Sequence, residues 1–415
     1  MLETRLANQL LRKTCTGTGR AFWAPYNSRR HSTSASGLFA AYFSSNQRWS
    51  ATTARTDTFP VPALDPIPPT ALRPLPTLTP SRIITTYSQL SKSHLTTLVV
   101  LTAMAPVALS PLPASVTVLL ATGAGTALCC ASANALNELQ EAPFDAQMGR
   151  TRGRPLVRRI ISPTHAALFA AGTGLAGPAI LWGLVNPTTA LLGAANIVLY
   201  AGVYTAMKRY TVWNTWVGSV VGAIPPLMGW TAVGGHLLPS PDHPITLFLP
   251  QFLSSTPMPD ITLIDNPLAP LALFLLMYHW QFPHFNALSH FVRSAYAQGG
   301  YHMLSILDPR RNALVSLRHT VMLAGLCTVL VPLSGLTTWT FALTSAPAHA
   351  VLLQAAWRFY KEGGEAHARK LFHHSLWYLP VVLGLMMAHK QGMEWTSWIG
   401  LSGEEKEKKE VESAV

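Results

Sequence analysis

Nine apolar runs, each close to twenty residues long, constrain this chain more than any other feature of its sequence. They fall at about 94–112, 115–136, 164–184, 188–206, 215–234, 268–287, 317–334, 338–357 and 374–391. A helix that crosses the bilayer needs about 20 mostly apolar residues. Lipid offers no water to bare backbone groups, so a spanning segment must pair its own N–H and C=O groups, as a helix does. The expectation is an all-α polytopic membrane protein with about nine transmembrane helices. Composition agrees, because 49% of residues are hydrophobic and only 12% are charged, against about 25% charged in soluble proteins.

The formal net charge is +12, which could point to nucleic acid. Its distribution points elsewhere. Arg150, Arg152, Arg154, Arg158 and Arg159 follow the second run, and Lys208 and Arg209 follow the fourth. Arg293, Arg310, Arg311 and Arg318 follow the sixth, and Arg358, Lys361, Arg369 and Lys370 follow the eighth. The alternate loops contain no Lys or Arg, including the long one from Gly235 to Pro267. Basic loops stay on the side from which the chain is not translocated. The charge is therefore topological, and no nucleic-acid partner is expected. Cys15, Cys129, Cys130 and Cys327 show no CxxC or zinc spacing and read as packing residues.

Residues 1–50 read as a mitochondrial transit peptide. From Met1 to Thr56 the only acidic residue is Glu3, while Arg5, Arg12, Lys13, Arg20, Arg29, Arg30, Arg48 and Arg55 alternate with Ser, Thr, Ala and Leu. Residues 51–85 read as a Pro-rich linker, 86–392 as the membrane domain, and 393–415 as a charged C-terminal tail. The basic loops would then face the matrix side of the mitochondrial inner membrane.

The second run ends in chemistry. Asn137, Glu141 and Asp145 stand at i, i+4 and i+8, so on a helix they form one ridge. Oxygen ligands on one ridge can hold Mg²⁺, which keeps waters and bridges to substrate phosphates. Pro143 lies inside the ridge and removes a backbone donor, which is expected to kink the helix. The plain alternative is a polar helix end facing water. Arg150 and Arg154 follow at once and weigh against it, since guanidinium groups match phosphate oxygens. Lys208 and Arg209 fall on the same side and could grip a diphosphate or simply anchor the loop. On that side too lies Trp280-Gln281-Phe282-Pro283-His284-Phe285. His284, beside an intramembrane proline, could ligate heme iron, assist proton transfer, or be a hydrogen-bonded packing histidine.

These clusters resemble the protoheme IX farnesyltransferase (heme O synthase) family of the UbiA-type membrane prenyltransferases. The superfamily's NxxxDxxxD motif matches Asn137, Glu141 and Asp145, and the heme branch's MxRTxxRPL matches Met148, Arg150, Thr151, Arg154, Pro155 and Leu156. Tyr204-Thr205…Lys208-Arg209, Asn214-Thr215-Trp216-Val217-Gly218, the Gly222–Trp230 stretch and the Trp280–Phe285 segment extend the likeness over roughly residues 85–390. The chain departs at two places. Glu141 stands where bacterial members usually have Asp, and Ala295 stands where the family has an acidic residue before Tyr296, in the second metal-binding half.

The resemblance implies a UbiA-type bundle that moves the farnesyl group of farnesyl diphosphate onto heme b with water addition, giving heme o for cytochrome c oxidase assembly. It implies Mg²⁺ on Asn137, Glu141 and Asp145, with Arg150, Arg154, Lys208 and Arg209 on the diphosphate and His284 near heme. Inner-membrane lipid and either handover to heme a synthase or a homo-oligomer complete the expected partners. A prenyltransferase acting on an aromatic acid would need a second carboxylate-rich motif, which the sequence lacks. A heme or lipid carrier would need neither the ridge nor the cations.

Overall fold

The computed structural model describes residues 79–250, 253 and 265–393. The expected transit peptide and the charged stretch Glu404–Glu412 lie outside the described residues. Among the described residues all regular elements are helical, with one isolated antiparallel bridge between Thr337 and Lys390. In chain order the helices are α1 (Pro80–Leu90), α2 (Ser93–Leu109), α3 (Val116–Asp145), α4 (Pro163–Leu184), α5 (Pro187–Met207) and α6 (Asn214–Ala232). Then come α7 (Leu268–Phe291), the short α8 (Arg293–Gln298) and α9 (Leu304–Leu307), and α10 (Pro309–Leu333), α11 (Thr340–Glu362) and α12 (Gly364–Ala388).

Each apolar run of the sequence coincides with one of these helices. By length and composition α3, α4, α5, α10 and α12 can each cross a membrane, and the pair α1–α2, bent by 56°, makes a sixth candidate. The multi-pass architecture holds, while the expected count of nine spans does not follow from that test. Helices α6, α7 and α11 fall short because they carry polar and proline residues, such as Pro225 and Pro226 on α6 and Trp280, Gln281 and His284 on α7.

Helix α1 begins at Pro80, within the stretch read as a linker over 51–85. Proline at the first helical position supplies a preset φ and lacks only a donor that would be orphaned there. The same device opens α4, α5 and α10, each with a side-chain cap: Ser162 accepts from His165 N, Asn186 from Thr189 N and Asp308 from Arg311 N. The Asp308 cap starts α10 a full two turns before its apolar stretch, which hydropathy could not detect.

Helix α3 positions the site. Its 30 residues extend about 45 Å, beyond the ~30 Å of hydrocarbon, so its last turns reach the membrane boundary. The helix continues through Pro143 to Asp145. Around that end the basic-side loops close in. Phe144 and Met148 pack on Tyr301, Met303 and Ile306, and Asn214 Nδ2 donates to His302 O while His302 N donates to Lys208 O. On the far side, α2 crosses α6 so closely that a Cβ at Gly229 would lie 1.7 Å from Ala103 O, so only glycine fits that crossing.

Candidate functional site

Asn137, Glu141 and Asp145 are all buried along one face of α3, as the i, i+4 spacing requires. Three basic side chains converge on them from elsewhere in the chain. Lys208 Nζ donates to Glu141 Oε1 at 2.7 Å. Arg154 forms an ion pair with Asp145 and lies 3.6 Å from Glu141 Oε2. Lys92 Nζ donates to Asn137 Oδ1 at 2.9 Å, and Asn137 Nδ2 donates to Thr205 Oγ1 at 3.0 Å. Next to Asn137 in the chain, Glu138 Oε1 accepts from Leu156 N at 2.9 Å and so ties the arginine loop to α3.

Burial disfavours the Lys208 charge, but the Glu141 carboxylate together with Tyr204 and Tyr200 outweighs it and holds the amine above the ordinary lysine range. Burial also opposes the Arg154 charge, and Asp145 and Glu141 more than offset that cost. Both residues stay cationic. Burial, followed by the charges of Glu141 and Asp145, pushes the Tyr301 phenol well above its usual value. Tyr301 is therefore a neutral donor, and its buried hydroxyl has no hydrogen-bond partner.

Asp145 Oδ1 is likewise buried without a partner. A bare buried acceptor costs about 1–3 kcal/mol, and a donor or cation at that oxygen would relieve the cost. Asn137, Glu141 and Asp145 supply only hard oxygen ligands, the set that suits Mg²⁺. The residues present fit that ion.

The two other expected anion-binding residues stand at the rim. Arg209 lies 3.8 Å over the Phe144 ring, and exposed Arg150 lies 5.7 Å over Tyr296. Ala295 packs beside Phe144 and Tyr301 and offers no carboxylate. His284 stands apart. Its Nδ1 is 2.9 Å from Ser375 Oγ on α12, and its ring stacks on Trp280 at 4.8 Å. Those contacts are of the packing kind.

Sequence reading missed Lys92, Tyr301 and the aromatic wall beside Lys208. Residues Val198–Tyr204 of α5 form a π-helical turn, a feature that recurs at functional sites. It sets Tyr204 under Lys208, with Nζ 4.6 Å from the ring centroid, and turns Ala201 O to accept from Gln140 Nε2 at 2.9 Å. From this end an apolar cavity runs between α2, α3, α5 and α6, past Asn134 and Tyr200 to Ala133, Cys129 and Met228. Its cavity volume is about 90 Å³.

Residues 95–377 match the UbiA prenyltransferase family. The chain belongs to that family. Among its relatives is the mitochondrial protoheme IX farnesyltransferase of Neurospora crassa, 43% identical over 342 residues, which are 79% of this chain and 64% of the relative. The human mitochondrial protoheme IX farnesyltransferase is 42% identical over 307 residues, 73% of this chain and 62% of that protein. The chain thus spans less than two thirds of the length of these two relatives. Among solved structures, a digeranylgeranylglyceryl phosphate synthase shares the fold at 14% identity and a TM-score of 0.59, covering 75% of this chain and 99% of its own. The UbiA-type bundle expected from the sequence is therefore the fold found.

Proposed function

We propose that this UbiA prenyltransferase moves the farnesyl group of farnesyl diphosphate onto a vinyl group of heme b, giving heme o and diphosphate, at the matrix side of the mitochondrial inner membrane. The observation that carries the prenyl-transfer chemistry is the meeting of the Asn137–Glu141–Asp145 ridge with Arg154 and Lys208, about one helical turn along α3 from Asn134, which lines an apolar cavity. The choice of heme as acceptor rests on the relatives named protoheme IX farnesyltransferase and on the heme-branch motifs.

Diphosphate and isoprenoid have opposite demands, and the site meets both. Arg154 and Lys208 offer charge-assisted hydrogen bonds to phosphate oxygens, Tyr301 offers its unpaired hydroxyl, and Arg150 and Arg209 guard the rim. The cavity lined by Ala133, Cys129 and Met228 takes the fifteen-carbon chain. Mg²⁺ held by Asn137, Glu141 and Asp145 would neutralise diphosphate charge. As the allylic C–O bond breaks, its electron pair leaves with diphosphate, and Arg154 and Lys208 stabilise that growing charge. Vinyl carbon attacks the allylic carbon to form the new C–C bond. Water then adds to the heme-side cation and loses a proton, leaving a hydroxyethylfarnesyl group. Apolar walls keep water from the farnesyl cation until the acceptor arrives. His284 is assigned no step.

Purified protein incubated with heme b, farnesyl diphosphate and Mg²⁺ should yield heme o by mass. Farnesol and unchanged heme b alone would count against heme as the acceptor.

A further inference from the structure

The loop at the opposite end of the bundle carries a second constellation. Helix α6 starts beside the carboxylate site at Asn214 and ends at Ala232, and its 19 residues rise about 28 Å. The chain that follows brings His236 and His243 against Asp265, the residue that leads into α7. The ligand atoms of these three side chains lie within 4.8 Å of one another. Asp265 Oδ2 accepts from His236 N at 2.7 Å and sits 2.6 Å from His236 Nδ1 and 4.0 Å from His243 Nδ1. The two imidazoles stack at 3.9 Å.

Two features separate this cluster from an incidental polar patch. The Asp265 side chain is only 7% exposed, and its Oδ1 is buried with no hydrogen-bond partner. A buried carboxylate oxygen without a donor is costly, and the other oxygen of the same carboxylate, Oδ2, lies against both imidazoles. The backbone around the cluster is also fixed. Ser240 and His243 exchange backbone hydrogen bonds at 3.1 Å in a closed turn, and buried Asn266 donates to Thr246 O at 2.7 Å and to Ser334 O at 2.9 Å. The histidines themselves are more open, with side chains 51% and 34% exposed.

We propose that His236, His243 and Asp265 form a binding site for a first-row transition-metal dication such as Zn²⁺. The two imidazole nitrogens are borderline donors that favour Zn²⁺ over Mg²⁺, and a carboxylate completes many Zn²⁺ ligand sets. Bonds of ~2.0–2.2 Å place tetrahedral ligands a little over 3 Å apart, and the observed separations bracket that spacing. Binding requires one stacked ring to rotate so that its lone pair meets the ion. A fourth position stays open to water or an outside ligand. The ion would fasten the His243 turn to the start of α7, on the face without basic loops.

The test uses the full chain, purified in detergent without a polyhistidine tag, stripped with chelator and titrated with Zn²⁺ against a chromophoric competitor. One equivalent should bind, unaffected by excess Mg²⁺. His243→Ala and Asp265→Asn should each weaken it by at least about tenfold, the loss that even outer-shell changes cause at metal sites. Both variants, in chelator, should unfold at the wild-type temperature and retain wild-type prenyl transfer, which separates lost ligands from lost fold. A variant that fails this check is replaced by His236→Gln, which removes one imidazole at the most exposed position. No stoichiometric Zn²⁺, Zn²⁺ displaced by Mg²⁺, or Zn²⁺ affinity untouched by the substitutions would each overturn the proposal.

Discussion

Lys208 Nζ donates a 2.7 Å hydrogen bond to Glu141 Oε1, joining two buried side chains 67 residues apart. Losing the carboxylate leaves an amine with only neutral neighbours at bonding distance. Glu141→Gln should therefore be destabilising, by up to about 3–5 kcal/mol as for other broken buried pairs. Adding Lys208→Met should recover part of that loss. Denaturant unfolding of the four proteins in detergent gives the coupling, expected at about 0.5–3 kcal/mol. Additive effects would mean the pair is not an energetic unit.

Asp145→Ala should abolish heme o formation while the protein remains in the membrane. Asp145 both pairs with Arg154 and presents the free Oδ1. Product analysis alongside membrane fractionation checks this, and near-normal turnover would remove the ridge from the mechanism.

Arg154→Gln keeps hydrogen-bonding capacity but removes a cation. A lost charge-assisted hydrogen bond is worth about 1.5–3 kcal/mol, or roughly tenfold to a hundredfold. Farnesyl diphosphate binding should weaken by about that factor, with heme b binding nearly unchanged. Titration that shows the reverse would place Arg154 at the heme propionates.

Much of this site could be read locally. Asn137, Glu141 and Asp145 declare themselves because helical spacing alone puts them on one ridge, and Arg154 follows within a few residues. Lys92 could not be read that way. It meets Asn137 across 45 residues through a left-handed backbone position, φ 49°, at the bend between α1 and α2. Tyr301 follows Gly300, whose φ of 69° turns the chain back toward Phe144, and only the fold brings the phenol to the carboxylates. The π-helical turn over Val198–Tyr204 leaves no trace in hydropathy. His284 drew notice from its proline and aromatic neighbours, and its bond to Ser375 on α12 is likewise a contact that only the fold supplies.

The apolar cavity makes a prediction about chain length. Ala133 lines it one turn before Asn137. Ala133→Leu adds three carbons where the isoprenoid would lie, and overpacking costs about 1–3 kcal/mol. Turnover of farnesyl diphosphate should fall more than that of geranyl diphosphate in competition assays. Equal losses for both would mean the tail runs elsewhere.

The central claim is farnesyl transfer to heme with water addition at the carboxylate–cation site. The most direct measurement is the mass spectrum of heme recovered after incubating the protein with heme b, farnesyl diphosphate and Mg²⁺ in ¹⁸O-labelled water. Wild type should give heme carrying one farnesyl group and one ¹⁸O atom, and Asp145→Ala should not. Heme of unchanged mass from wild type, or farnesyl heme without the label, would contradict the claim.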